Sequence, residues 1–164
     1  VFSLNYPGYS PNNAQVLKDT WGKFDEQNKD KPNAKYLQFC HSKGAIDVRN
    51  ALMECPKELR DRVIVVAIAP GAIVPDDLCF DSFNYASKND IVHFGELVLP
   101  GFFDSSECGM SKTMEVILEY RKQLKLVEPH PDATGIDHDF ESPTFTDIIA
   151  RHILEHLKKN GEYE

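Results

Sequence analysis

The chain has 164 residues, 41% of them hydrophobic and 27% charged, with a formal net charge of −8. That is ordinary for one globular domain, large enough to bury roughly two-thirds of its unfolded surface. The acidic balance, with no Lys/Arg cluster, argues against nucleic acid as a partner, and no apolar run approaches the ~18 residues of a membrane span.

Val1 to Asn5 reads as the end of a strand. The chain opens without an initiator Met or a charged leader, so it reads as cut from something longer and as carrying no signal peptide. Tyr6 to Asn13 is a turn-rich loop, Tyr-Pro-Gly-Tyr-Ser-Pro-Asn-Asn. A helix follows, with Val16, Leu17, Trp21 and Phe24 on one face and Asn12 or Asn13 as its cap. Gln27 to Asn33 is a polar loop.

Tyr36, Leu37, Phe39 and Cys40 read as a short buried strand, after which Ala45, Val48, Leu52 and Met53 switch to helical spacing. Pro56 and the charged run Lys57 to Asp61 close that helix. Arg62 to Ala69 is a continuous β-branched run, the mark of a strand buried on both faces. Pro70-Gly71 ends it, and Ala72 to Asp77 is a short connector with room for one helical turn. Leu78 to Ala86 reads as another strand, with Ser87 to Asp90 as the loop at its end. Within 91–123, Leu97 to Cys108 reads as loop, and Thr113 to Tyr120 as either a helix or one arm of a hairpin with Gln123 to Val127. Lys125 to Glu128 is the next strand and His130 to Ser142 a loop. Thr144 to Lys159 is an amphipathic helix burying Ile148, Ile149, Ile153, Leu154 and Leu157. Strands alternating with helices predict an α/β fold, mainly a parallel sheet flanked by helices.

The four cysteines, Cys40, Cys55, Cys79 and Cys108, form no Cys-x-x-Cys pair, so no structural zinc or thioredoxin-type motif is indicated. Cys40 and Cys55 read as small buried hydrophobes. Nothing implies a disulfide framework, which fits a reducing compartment.

Between the strand and helix at 36–53 stands Cys40-His41-Ser42-Lys43-Gly44. A serine on a tight strand-to-helix turn, with small residues two before and two after, is the nucleophile-elbow pattern. Here Cys40 replaces the usual first glycine, and Gly44 is expected to let the helix pack against the strand. The other reading is that Ser42 only caps the helix.

In parallel sheets the ligand crevice lies beyond the carboxyl ends of the strands. Ser42, Asp90 and His138 fall in loops at such ends, in the order Ser-Asp-His that an elbow enzyme requires. A serine hydroxyl needs a base, and a histidine with an ordinary pKa near 6.5 supplies it when a carboxylate fixes its tautomer. Ser42 is thus the expected nucleophile, His138 the base and acid, Asp90 the orienting carboxylate, and the Lys43 N–H an oxyanion donor. Asp76 and Asp77 compete as the acid, and His130 as the base. His93 is expected to be peripheral. His152 and His156 share i, i+4 spacing without the glutamate of a His-Glu-x-x-His site, so they read as partly exposed helix residues. His130, Asp132, Asp137 and His138 form a divalent-metal alternative by ligand type. The triad chemistry itself calls for no metal or cofactor.

Together, Cys40–Gly44, Lys88-Asn89-Asp90-Ile91-Val92 and Asp137-His138-Asp139-Phe140 resemble the α/β-hydrolase fold. Asn5 to Ser10 resembles the loop after the strand preceding the elbow strand. The runs 40–52, Val66-Ala67-Ile68-Ala69-Pro70-Gly71-Ala72 and His130-Pro131-Asp132-Ala133 are similar to a chlamydial family of α/β-hydrolase-like proteins that carries no assigned reaction. The resemblance spans nearly the whole chain. It implies a single hydrolase-like domain over 1–164 lacking its first strands and its lid; the fold's second oxyanion donor comes from a loop upstream of Asn5 to Ser10, so either it lies in a portion that precedes this chain or the hole is incomplete. The short link from Ala69 to Leu78 leaves no room for a lid, so the site is expected to be open and to suit a bulky or surface-presented acyl group. The expected activity is hydrolysis of an ester, thioester or lipid acyl bond, the partner being a small-molecule or lipid acyl substrate. The alternative is a hydrolase-like binding or scaffold protein without turnover.

Overall fold

A computed structural model describes residues 10–90 and 122–159. The expectations for Val1 to Tyr9, for 91–121 with His93 and Cys108, and for the arm Thr113 to Tyr120 lie outside the described residues.

Helix α1 (Pro11–Gln27) leads to strand β1 (Tyr36–Ser42), helix α2 (Lys43–Glu54), the short helix α3 (Lys57–Arg60) and strand β2 (Val63–Pro70). A 3-10 turn (Asp76–Leu78), strands β3 (Asp81–Ser87) and β4 (Leu124–Val127), and helix α4 (Pro143–Lys159) follow among the described residues. The four strands form one all-parallel sheet in the order β1-β2-β3-β4. The predicted α/β class with a mainly parallel, helix-flanked sheet is therefore present.

β2 is the spine. Its residues alternate between two apolar clusters, as strand side chains must. Val63, Val65 and Ala67 face Trp21 of α1 and Ala45, Val48, Ala51 and Leu52 of α2. Val66 and Ile68 join Tyr85, Phe145 and Ile148 on the other face, under α4. Covering both faces explains why this run reads as continuously apolar. The adjoining connector is buried too, and Asn84 satisfies it: its side chain accepts from Val74 N at 3.0 Å and donates to Val74 O at 3.0 Å.

Several local expectations are corrected. The cap of α1 is Ser10, which accepts from Asn13 N, because Pro11 at the first helical position fixes a suitable φ and needs no acceptor. Val16 is 65% exposed, and the buried side of α1 is Ala14 and Trp21. Lys57–Arg60 is a separate helical turn behind Pro56. Leu78 to Phe80 are not yet strand, because Leu78 ends the 3-10 turn. On α4, Ile153 and Leu154 are exposed, and the buried stripe is Phe145, Ile148 and His152. Among the described residues no helix is long and apolar enough to cross a membrane.

Candidate active site

All four strands are parallel, so their carboxyl ends share one rim of the sheet. Ser42 ends β1, Asp90 lies three residues beyond the end of β3, and His138 lies in the loop between β4 and α4. The structure brings these three together. Ser42 Oγ is 3.0 Å from His138 Nε2, and His138 Nδ1 is 2.9 Å from Asp90 Oδ2. Asp90 is fully buried and the His138 side chain is 18% exposed. An ionised carboxylate can only accept, so the His138 Nδ1–H donates to Asp90 and leaves Nε2 free to accept from the Ser42 hydroxyl.

Ser42 does not act as a helix cap. It occupies the cap position of α2, yet its side chain makes no capping hydrogen bond. Its backbone has φ 49° and ψ −124°, a region that costs a non-glycine residue of order 1–3 kcal/mol. The strain turns the hydroxyl out of the strand and toward the histidine. β2 supports the turn with a bulge. The β1–β2 register passes from His41 opposite Ile68 to Ser42 opposite Pro70, and the extra residue, Ala69, takes φ 45°. The Gly71 N–H beyond the bulge donates to Ser42 O at 2.9 Å.

The sequence departure at position 40 fits this geometry. Cys40 is buried against α2. A Cβ built on Gly44 would lie 3.9 Å from the Cys40 Cβ, an ordinary contact. The expectation that glycine is needed at 44 for packing is therefore corrected: a methyl group fits. Cys40 is also no rival nucleophile. Burial, with Cys79 nearby, pushes its thiol up to about 12, and burial does the same to Cys79, so neither forms thiolate at neutral pH.

Lys43 is the first residue of α2, and helix geometry leaves its N–H without an intrahelical acceptor. Its ammonium turns to Asp47 at 3.1 Å. Asp47 also accepts from Ser10 N and Asn13 Nδ2, each at 2.9 Å. Burial would raise the Asp47 carboxyl, but those hydrogen bonds outweigh it and hold the group below the usual carboxylate value. Asp47 thus ties the start of α1 to the first turn of the elbow helix.

The remaining candidates fall elsewhere. Asp76 and Asp77 are exposed on the 3-10 turn and His130 is exposed on its loop. His130 Nδ1 accepts from the Asp132 N–H at 3.1 Å. The metal alternative is corrected as well. Asp137 is fully buried and accepts from Ser142 Oγ, from Thr144 Oγ1 at 2.5 Å and from Ser87. Burial would raise its carboxyl, and these hydroxyls hold it below the usual range instead. Among the described residues no group of three or more His, Cys, Asp or Glu side chains gathers as a metal would need.

Sequence reasoning named two residues but missed their roles. Asp137 anchors the loop beside His138 to the end of β3 and the start of α4; the Ser142-Pro143-Thr144 helix start was the available signal. His152 is buried, not partly exposed, and shares a 3.0 Å hydrogen bond with Tyr85 Oη on the far face of the sheet. An open cleft of about 440 Å³, lined by Asp132, Thr134, Asp139, Phe140, Glu141, Ser142 and Pro143, adjoins the His138 loop. Ser42, His138 and Asp90 are not part of its lining. Comparison with protein-family models, with curated proteins and with solved structures gives no match.

Proposed function

We propose that this chain is a serine hydrolase of the α/β-hydrolase type, acting on an ester, thioester or lipid acyl bond. What supports the reading above all is the pair of hydrogen bonds in series, Ser42 to His138 to Asp90, at 3.0 and 2.9 Å. The strained backbone of Ser42 adds to it, since such strain persists where surrounding structure enforces it and clusters at functional sites.

The chemistry follows from the roles. His138 Nε2 takes the hydroxyl proton as Ser42 Oγ bonds to the acyl carbon, and Asp90 steadies the imidazolium. The carbonyl oxygen gains the negative charge and lies toward the start of α2, where the Lys43 N–H and the helix dipole favour it. The C–O or C–S bond of the substrate then breaks, and His138 returns the proton to the leaving oxygen or sulfur. Water, deprotonated by the same nitrogen, attacks the acyl-Ser42 ester and releases the acid and free serine.

Hydrolysis of p-nitrophenyl acyl esters of increasing chain length tests this. Asp90→Asn should lower kcat by on the order of 10³–10⁴, since an amide cannot hold the useful tautomer. Combining it with Ser42→Ala should cost little more than Ser42→Ala alone, because the triad acts as a unit. Turnover absent from wild type would favour the binding-protein reading, and equal turnover in wild type and Ser42→Ala would remove Ser42 as the nucleophile.

A further inference from the structure

We infer that His41 is a positioning residue for His138; the inference rests on the serine-hydrolase reading. His41 immediately precedes the nucleophile in β1, and its Nε2 lies 2.7 Å from the backbone oxygen of His138. A carbonyl oxygen only accepts, so His41 donates through Nε2–H, in its neutral or its protonated form alike. The two imidazole rings are 5.1 Å apart, and the His41 ring is 6.1 Å from that of Phe140. The residue before the nucleophile therefore grips the main chain of the base.

The grip matters because His138 sits on a loop, not on a strand or helix. Its neighbour Asp137 is tied to Ser87, Ser142 and Thr144. His41 holds the next peptide unit from the side of the nucleophile strand. Asp90 then holds the imidazole itself, at its Nδ1. The base is thus registered directly against the strand that carries Ser42. A misplacement of about 1 Å at a reacting pair can cost on the order of 10² in rate.

Three variants test this in the full chain. His41→Phe keeps a ring and removes the donor, His41→Asn is polar but too short to reach the carbonyl, and His41→Gln keeps an N–H at comparable reach. One readout is the proton NMR signal of the His138 Nδ1–H bonded to Asp90. The other is the kcat and KM for a p-nitrophenyl acyl ester. His41→Phe and His41→Asn should broaden or lose the bridging-proton signal and lower kcat ~10–100-fold, with KM within about twofold. His41→Gln should keep the signal and stay within about threefold of wild type. A folded His41→Phe or His41→Asn with wild-type signal and kcat overturns the inference. Should wild type itself show no turnover, the hydrolase reading falls, and the NMR comparison alone decides whether His41 positions His138.

Discussion

The Ser42 hydroxyl meets the Nε2 of His138, 96 residues further along the chain, at 3.0 Å. Two features make that meeting possible: a backbone forced to φ 49° at the end of β1, and a loop pinned beside the histidine by Asp137. The first costs stability locally, the second adds to it, and each has measurable consequences.

Ser42→Gly removes the hydroxyl and also the penalty of a positive φ, whereas Ser42→Ala removes only the hydroxyl. Ser42→Gly should therefore be the more stable of the two by about 1 kcal/mol. Urea denaturation of both proteins measures the difference. A Ser42→Ala protein as stable as Ser42→Gly would show that the turn is not strained.

At position 44 the preference between glycine and alanine reverses. A methyl group there lies at ordinary contact distance from Cys40, and alanine is the better helix former by roughly 0.5–1 kcal/mol. Gly44→Ala should raise the urea midpoint and leave p-nitrophenyl ester turnover at the wild-type level. A lowered midpoint would mean that Cys40 and Gly44 are packed more tightly than 3.9 Å implies.

His152 makes stability depend on pH. Burial lowers its pKa below the usual histidine value; Arg151 and Lys125 act in the same direction, and Glu155 and Asp81 oppose them. In the unfolded chain the group protonates near 6.5, while in the folded protein it stays neutral to lower pH. Unfolding therefore takes up a proton in that window, and stability falls as pH drops below about 6.5. His152→Gln should flatten the dependence of the melting temperature between pH 7 and 5. An unchanged slope would contradict a neutral buried His152. Asp47 and Asp137 act lower: their stabilisation is complete above about 4 and is lost as pH falls further.

The sheet was legible because apolar runs report burial directly. Val63 and Val65 to Ala69 are buried and read that way, with Ile64 alone partly exposed. The triad order was legible because Ser42 ends a strand, Asp90 and His138 each come after one, and parallel strands deliver their ends to one rim. Helix faces were less so. Ile153 and Leu154 are apolar yet exposed, while the adjacent His152 is buried, where Tyr85 supplies its hydrogen bond. Residue type alone cannot show such a partner 67 residues away. Asp137 was misread for the same reason. A carboxylate beside a histidine suggests a ligand, but three hydroxyls from β3 and the start of α4 draw it inward.

The central claim is that Ser42 is a nucleophile activated through His138. A fluorophosphonate probe, followed by peptide mapping of the adduct, tests it most directly. Wild type should carry the label on Ser42, with Ser42→Ala unlabelled and His138→Ala labelled far more slowly. Label on another residue, equal label in wild type and Ser42→Ala, or none in wild type would contradict the claim.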